Sequence, residues 1–254
     1  MVEMLNNKAI KQERPLIVEF VGLAGAGKST LARLLCQGNR NIFIAADLRM
    51  RKIAHVPFFV RNLPFLASLI LNRCQDRRWY TWEQFKFLVY LKSWVGVLKH
   101  PSLNHHTAIL LDHGPVFKLA TLNAFSPERI NSQGCGHWGK DLLSLWANTL
   151  DMIIWLDAPD PVLRERINQR DQRHIVKGKS EQEVFEFLAR YRSSYEQILA
   201  ELTTDGGPAL LRFDTNQSSI EKIADWLLVS GSINQIPAPN RLFQPALITR
   251  NKDF

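Results

Sequence analysis

The sequence predicts a three-layer α/β fold built on a five-stranded parallel sheet, with an added helical region. Three observations carry this prediction. Five short apolar runs recur along the chain, and several of them end in aspartate. Helical periodicity fills the longer intervals between runs. A glycine-rich turn joins the first run directly to a helix. Short runs that are apolar on both faces suit strands of a parallel sheet covered by helices.

The first run, "LIVEFV" at 16–21, reads as a buried strand. The chain continues "GLAGAGKST", and from Ser29 the leucines Leu31, Leu34 and Leu35 fall at helical spacing up to Gly38. Gly22, four residues, then Gly27-Lys28-Ser29 is the phosphate-cradling P-loop spacing. Glycines let backbone N–H groups approach phosphate oxygens closely, and the helix points its positive end at the same place. Lys28 is placed to reach the β- and γ-phosphates, and Ser29 to offer its hydroxyl to Mg2+. Thr30 reads as a helix-start residue. The fold prediction thereby sharpens to the P-loop NTPase fold, with ATP and Mg2+ as expected cofactors.

The remaining strands follow in order. "NIFIAAD" at 41–47, "TAILLDHGP" at 107–115, "DMIIWLDAP" at 151–159 and "PALLRFDT" at 208–215 are the other four runs. Ligands of open parallel sheets bind at the carboxyl ends of strands, so Asp47, Asp112 and Asp157 are expected near one edge. Asp157 reads as a residue that caps a strand end or fixes the following turn. Between the second and third runs, a helical insert at about 54–100 is rich in aromatics, among them Phe87, Tyr90 and Trp94. They read mainly as core, with a cover over a substrate pocket as the functional alternative. Lysines along this insert also fit a membrane-surface helix, a weaker reading that snorkelling side chains explain as well.

Asp160 and Pro161 begin a helix carrying Arg164, Arg166, Arg170 and Arg173. Arg166 and Arg170 are expected to share a helical face. Arginines beside a P-loop neutralise charge on a transferring phosphoryl group. A solvated basic helix, with Glu165 and Asp171 interleaved, is the plainer reading. The polar, basic stretch at about 170–180 suits a lid. Ser180 with Glu183 forms a capping-box pattern opening a long amphipathic helix. Residues 1–230 are expected to form one domain, and 231–254 a tail without periodicity.

In this order of segments the chain resembles the thymidylate kinase and deoxynucleoside kinase group of P-loop kinases. The resemblance rests on the P-loop, "LLDHGP", "WLDAPDPVLRERINQR", "FLARYRSSYEQIL" and "RFDTNQSSIEKIADWL". It implies that Gly22, Ala24, Gly25, Ala26, Gly27, Lys28, Ser29 and Thr30 bind ATP phosphates. It implies that Thr215 lies near adenine, and that Asp112 acts on Mg2+ through water or organises the acceptor. Asp47 falls where deoxynucleoside kinases carry a carboxylate base, and Arg49 or Arg51 is a candidate anchor for an acceptor anion. Arg166, Arg170 and Arg173 would be lid arginines. The acidic motif usually continues with arginine, whereas here His113 follows Asp112. His113 is therefore a candidate substrate contact.

Composition bounds the rest. The 254 residues are 46% hydrophobic, enough for a sizeable core. The net charge of +8 suits an anionic substrate. It also suits nucleic acid, but no nucleic-acid motif accompanies it, so no such partner is expected. Cys36, Cys74 and Cys135 give no disulfide framework and suggest a reducing compartment. No signal-peptide core opens the chain, and no apolar run approaches the roughly 20 residues of a spanning helix. The expectation is a cytoplasmic protein without an integral membrane segment, and a homodimer stays open. His100, His105, His106, His113 and His137 form no metal-ligand pattern, with "CGH" at 135–137 the nearest to one. The expected activity is transfer of the ATP γ-phosphate to a small-molecule hydroxyl or phosphate, and the resemblance implies a nucleoside or nucleotide as the acceptor. The rival is a P-loop ATPase or nucleotide-dependent switch acting through a protein partner.

Overall fold

A computed structural model describes residues 14–39, 41–45, 60, 64, 82–125, 136–204 and 206–230. Five parallel strands form one sheet: β1 (Leu16–Gly22), β2 (Ile42–Ile44), β3 (Ala108–Asp112), β4 (Met152–Asp157) and β5 (Ala209–Asp214), in the spatial order β2-β3-β1-β4-β5. All five apolar runs therefore became strands. The three central strands are buried almost throughout, as their unbroken apolar patterns require.

The helices are α1 (Lys28–Gly38), α2 (Trp82–Leu98), α3 (Pro115–Phe125), α4 (Gly136–Ala147), α5 (Asp160–Gln169), α6 (Glu181–Leu202) and α7 (Ile220–Val229). From β1 the chain crosses through α1 to β2 on one side, while from β3 it crosses over β1 to β4 on the other. Crossovers of one hand that run in opposite directions lie on opposite faces. So α1, packed against α7, covers one face, and α3 with α6 covers the other. The two faces part between β1 and β3, which opens a crevice at the carboxyl ends of those strands.

Helix α6 has the capping box read from the sequence: the Ser180 hydroxyl accepts from the Glu183 N–H, and the Ser180 N–H donates to the Glu183 carboxylate. Its middle is tied to the sheet. Arg192 donates to Asp157 at 2.8 Å and to Asp160 at 2.6 Å. Asp157 also accepts from the Ala158 N–H, so it fixes the turn after β4 as expected. At the opposite end of the sheet, Asp151 takes both guanidinium nitrogens of Arg14 at 2.8 Å and the Ile17 N–H.

Two expectations change. Helix α5 stops at Gln169, and Arg170 is extended (φ −77°, ψ 145°), so Arg166 and Arg170 do not share a helical face. Beyond the helix end the Gly178 N–H donates to the Asn168 side chain. Of the helical insert, α2 is described from residue 82 onward; 54–59, 61–63 and 65–81 lie outside the described residues, as does the tail 231–254. Within α2, Trp94 is buried and Phe87 and Tyr90 pack on the core. No described helix is long and apolar enough to cross a membrane.

Candidate active site

The glycine turn is dictated by space. Gly22 has φ 137°, and a Cβ there would lie 2.0 Å from the Leu156 carbonyl oxygen of the neighbouring strand. Gly27 caps α1 in the left-handed region at φ 93°. These two positions let the chain leave β1, turn sharply and enter α1 with its first N–H groups facing the crevice. Ala24 and Gly25 are half-buried in the turn, Ala26 is buried, and Thr30 is exposed in the first turn of α1.

Lys28 folds back over the turn and donates to the Gly22 carbonyl at 2.7 Å and the Leu23 carbonyl at 2.8 Å. Burial pulls its ammonium down to about 8, with Arg170 acting in the same sense and Asp112 and Asp157 opposing. The Ser29 hydroxyl donates to Asp112 Oδ2 at 2.8 Å across the β1–β3 crevice. Residues 83 positions apart in sequence thus meet at the mouth of the loop.

Asp112 Oδ1 is buried and has no hydrogen-bond partner among the described residues. A carboxylate oxygen left so is costly unless something else occupies its lone pairs. The donor set is a hydroxyl and a carboxylate, both hard oxygens. Mg2+ prefers such ligands, keeps several waters, and takes the rest of its shell from phosphates. The residues present therefore fit Mg2+ held with a nucleotide. They do not form a self-sufficient metal cage: no group of three His, Cys, Asp or Glu suited to a metal occurs among the described residues.

His113 follows Asp112 in the left-handed region at φ 58°, the one non-glycine described residue with positive φ. Its Nδ1 lies 3.7 Å from Asp112 Oδ1, and its ring meets Phe117 edge-on at 4.7 Å. The imidazole is exposed to the crevice. Partial desolvation in the crevice lowers its pKa, with Lys28, Lys118 and Arg170 adding to the effect and Asp112 opposing it.

Arg166 is tied between the phosphate loop and the segment after β5. It donates to the Thr215 hydroxyl at 2.8 Å, to the Thr215 carbonyl at 3.0 Å and, more weakly, to the Gly25 carbonyl. Thr215 in turn donates through its N–H to the Asp157 carbonyl at 2.8 Å. Arg166 and Thr215 line a cavity of about 500 Å3 beside Gly25, Gly27, Thr30 and Ser219. The cavity adjoins the phosphate loop through Gly25, Gly27 and Thr30.

Arg170 sits nearer the centre, where its charge acts on Lys28, His113 and His174. Its side chain donates to Gln172, and Lys177 donates to its carbonyl. Arg173 is exposed in the same segment. Asp47, Arg49 and Arg51 lie outside the described residues.

Four residues at or around this site were not singled out from the sequence for the places they hold. His174 shares the field of Arg170 and Lys28. Arg192 braces the β4 turn. Glu19 and Lys118 lie buried behind His113. Only Glu19 carried a signal: a lone carboxylate inside "LIVEFV" is out of place in a buried strand unless something satisfies it.

No protein-family model matches the chain. A curated relative, the shikimate kinase of Rhizobium meliloti (strain 1021), is 27% identical over 188 residues, covering 73% of this chain and 76% of that protein. Among solved structures, the thymidylate kinase of Candida albicans aligns over 87% of this chain and 92% of its own, with 18% identity and a TM-score of 0.53. The deoxyadenosine kinase of M. mycoides aligns over 87% of this chain and all of its own at 13% identity, with a TM-score of 0.48. The phosphate loop and the curated relative together indicate a P-loop small-molecule kinase, and the fold resembles that of thymidylate kinase.

Proposed function

We propose that this chain moves the γ-phosphate of ATP, with Mg2+, onto a hydroxyl of a small polar metabolite. The observation that carries this is the contact of Ser29 with Asp112 beside an unpartnered carboxylate oxygen at the mouth of the loop. Bound Mg2+ would neutralise charge on the β- and γ-phosphates. Lys28 leaves the carbonyls of Gly22 and Leu23 for the phosphates, and its ammonium charge is favoured there. The acceptor oxygen attacks the γ-phosphorus in line, and the bond to the ADP oxygen breaks. The acceptor proton goes to a carboxylate, for which Asp47 is the candidate base and Asp112 the alternative. Arg170 meets charge that develops on the transferring group, and the segment 170–180 closes over it.

A hydroxyl acceptor is favoured over a phosphate by His113. An imidazole can donate to or accept from a hydroxyl, and the charges of Lys28, Lys118 and Arg170 disfavour its protonated form. It is a weaker phosphate clamp than the arginine it replaces. The curated relative, named as a shikimate kinase, supports the same choice. A nucleoside is one such acceptor, a hydroxylated carboxylic acid another. The deciding experiment is ADP release from MgATP across nucleosides, nucleoside monophosphates, sugars and hydroxy acids. Stimulation by a hydroxyl acceptor supports the reading. Slow hydrolysis indifferent to every acceptor would replace it with the ATPase or switch.

Two further outcomes are expected. Asp112→Asn should raise the Mg2+ concentration for half-maximal rate by about 10-fold or more, as loss of an anionic metal partner does; an unchanged Mg2+ profile would remove the assignment. Arg166 and Arg170 should separate. Arg166→Ala should raise KM for ATP about 10-fold with kcat little changed, since its contacts lie at the cavity. Arg170→Ala should instead lower kcat about 100-fold, as loss of a charge-stabilising group does. Steady-state kinetics on both variants reads this directly, and the reverse pattern would exchange their roles.

A further inference from the structure

Behind the site lies a buried polar cluster that the proposed phosphoryl transfer does not use. Glu19 is fully buried on β1. Its two carboxylate oxygens accept the first free N–H groups of α3, from Val116 at 2.9 Å and Phe117 at 3.0 Å. A carboxylate supplied by a strand thus caps a helix that has no cap of its own. Gly114 leaves the room: a Cβ there would come within 2.7 Å of the Glu19 carboxyl carbon. Lys118, one turn into α3, is also buried. Its ammonium lies 3.8 Å over the Tyr90 ring and donates to the His113 carbonyl at 2.6 Å. Burial pushes Glu19 up to about 8 and pulls Lys118 down to about 8.

The carbonyl that Lys118 holds belongs to the residue at φ 58°. A left-handed conformation at a non-glycine residue persists only where its surroundings impose it. Glu19 fixes the helix that follows this residue, and β3 fixes Asp112 before it. Lys118 is the side chain that grips the turn itself.

We propose that Lys118 is a positioning residue: by holding the His113 carbonyl it fixes the turn that aims the Asp112 carboxylate at the metal and nucleotide. The inference rests on the phosphate-loop reading of the site. It predicts a defect in metal binding rather than in nucleotide binding alone.

The test uses the full chain with ADP and Mn2+ as probes, so it needs no acceptor. ADP affinity without metal is measured by calorimetry. Mn2+ affinity of the ADP complex is read by electron paramagnetic resonance. Lys118→Met keeps the stem over Tyr90 and removes the donor. It should weaken Mn2+ binding to the ADP complex about 10-fold, the range found for groups that orient metal ligands. ADP affinity without metal should stay within about twofold of the parent. Because Lys118→Met removes the cation beside the buried Glu19, thermal melting is measured alongside to show that the variant folds. In a His113→Gly background the left-handed turn needs no restraint. Lys118→Met should there lose little further Mn2+ affinity. Equal weakening of ADP with and without metal, unchanged Mn2+ affinity, or a full additional loss in the His113→Gly background would each overturn the proposal. If the parent itself binds no ADP, the phosphate-loop reading fails first, and the role of Lys118 falls with it.

Discussion

Lys28→Met should lower acceptor-stimulated turnover by about 1000-fold or more, the scale seen when a preorganised charge at a transferring phosphoryl group is lost. The chain should still unfold cooperatively. The ammonium makes two hydrogen bonds in the loop, to the carbonyls of Gly22 and Leu23. Losing them costs about 1.5–3 kcal/mol each, because the donor is charged, and this is offset because the variant no longer buries an ammonium whose pKa burial has lowered to about 8. Stability should therefore move little while rate collapses. The check is kcat with the best acceptor from the panel, beside a urea melt. Turnover within about 10-fold of the parent would remove Lys28 from the chemistry.

Gly22→Ala should have the largest effect on folding. Two costs coincide there. The position has φ 137°, and the new methyl would meet the Leu156 carbonyl oxygen at 2.0 Å. That oxygen belongs to β4, where Leu156 stands opposite Gly22 in the parallel ladder. Neither partner can retreat without breaking sheet hydrogen bonds. Roughly 3 kcal/mol or more should be lost, with the phosphate loop displaced. Gly178→Ala is the matched control. It also has positive φ, 76°, but no atom of the described residues lies within 4 Å of a Cβ there. Its cost should stay near 1 kcal/mol, the conformational term alone. Denaturant midpoints for the two variants separate crowding from backbone strain. Similar midpoints would contradict the close approach of β1 and β4.

The contrast between what could and could not be read from the sequence follows from range. The P-loop, the five strands and the capping box at Ser180 are local patterns, and each of them formed. The strand order, β2-β3-β1-β4-β5, depends on pairings between distant segments. So does the meeting of Ser29 with Asp112. The arginines show the limit most clearly. Spacing placed Arg166 and Arg170 on one face, yet the helix ends between them. Arg166 then finds Thr215, 49 residues away, which no local pattern announces. No local pattern marks Lys118 in the sequence. Only the packing of α2 and α3 shows that its ammonium is enclosed by Tyr90 and the His113 carbonyl.

The anchoring of α5 and α6 has a mechanical consequence. Helix α6 runs 22 residues, a rod of about 33 Å at 1.5 Å per residue. Arg192 clamps this rod near its midpoint to the β4 turn and to the start of α5. Arg166 pins the last turn of α5 to Thr215. The stretch 170–180 is therefore slung between two fixed posts. Neither helix can swing to carry it, so any closing movement must be taken up within the sling. Gly178, at φ 76° with open space around it, is the natural pivot at one end. The extended backbone of Arg170 is the other. Closure then resembles a drawbridge on rigid abutments, and the sheet beneath need not move with it.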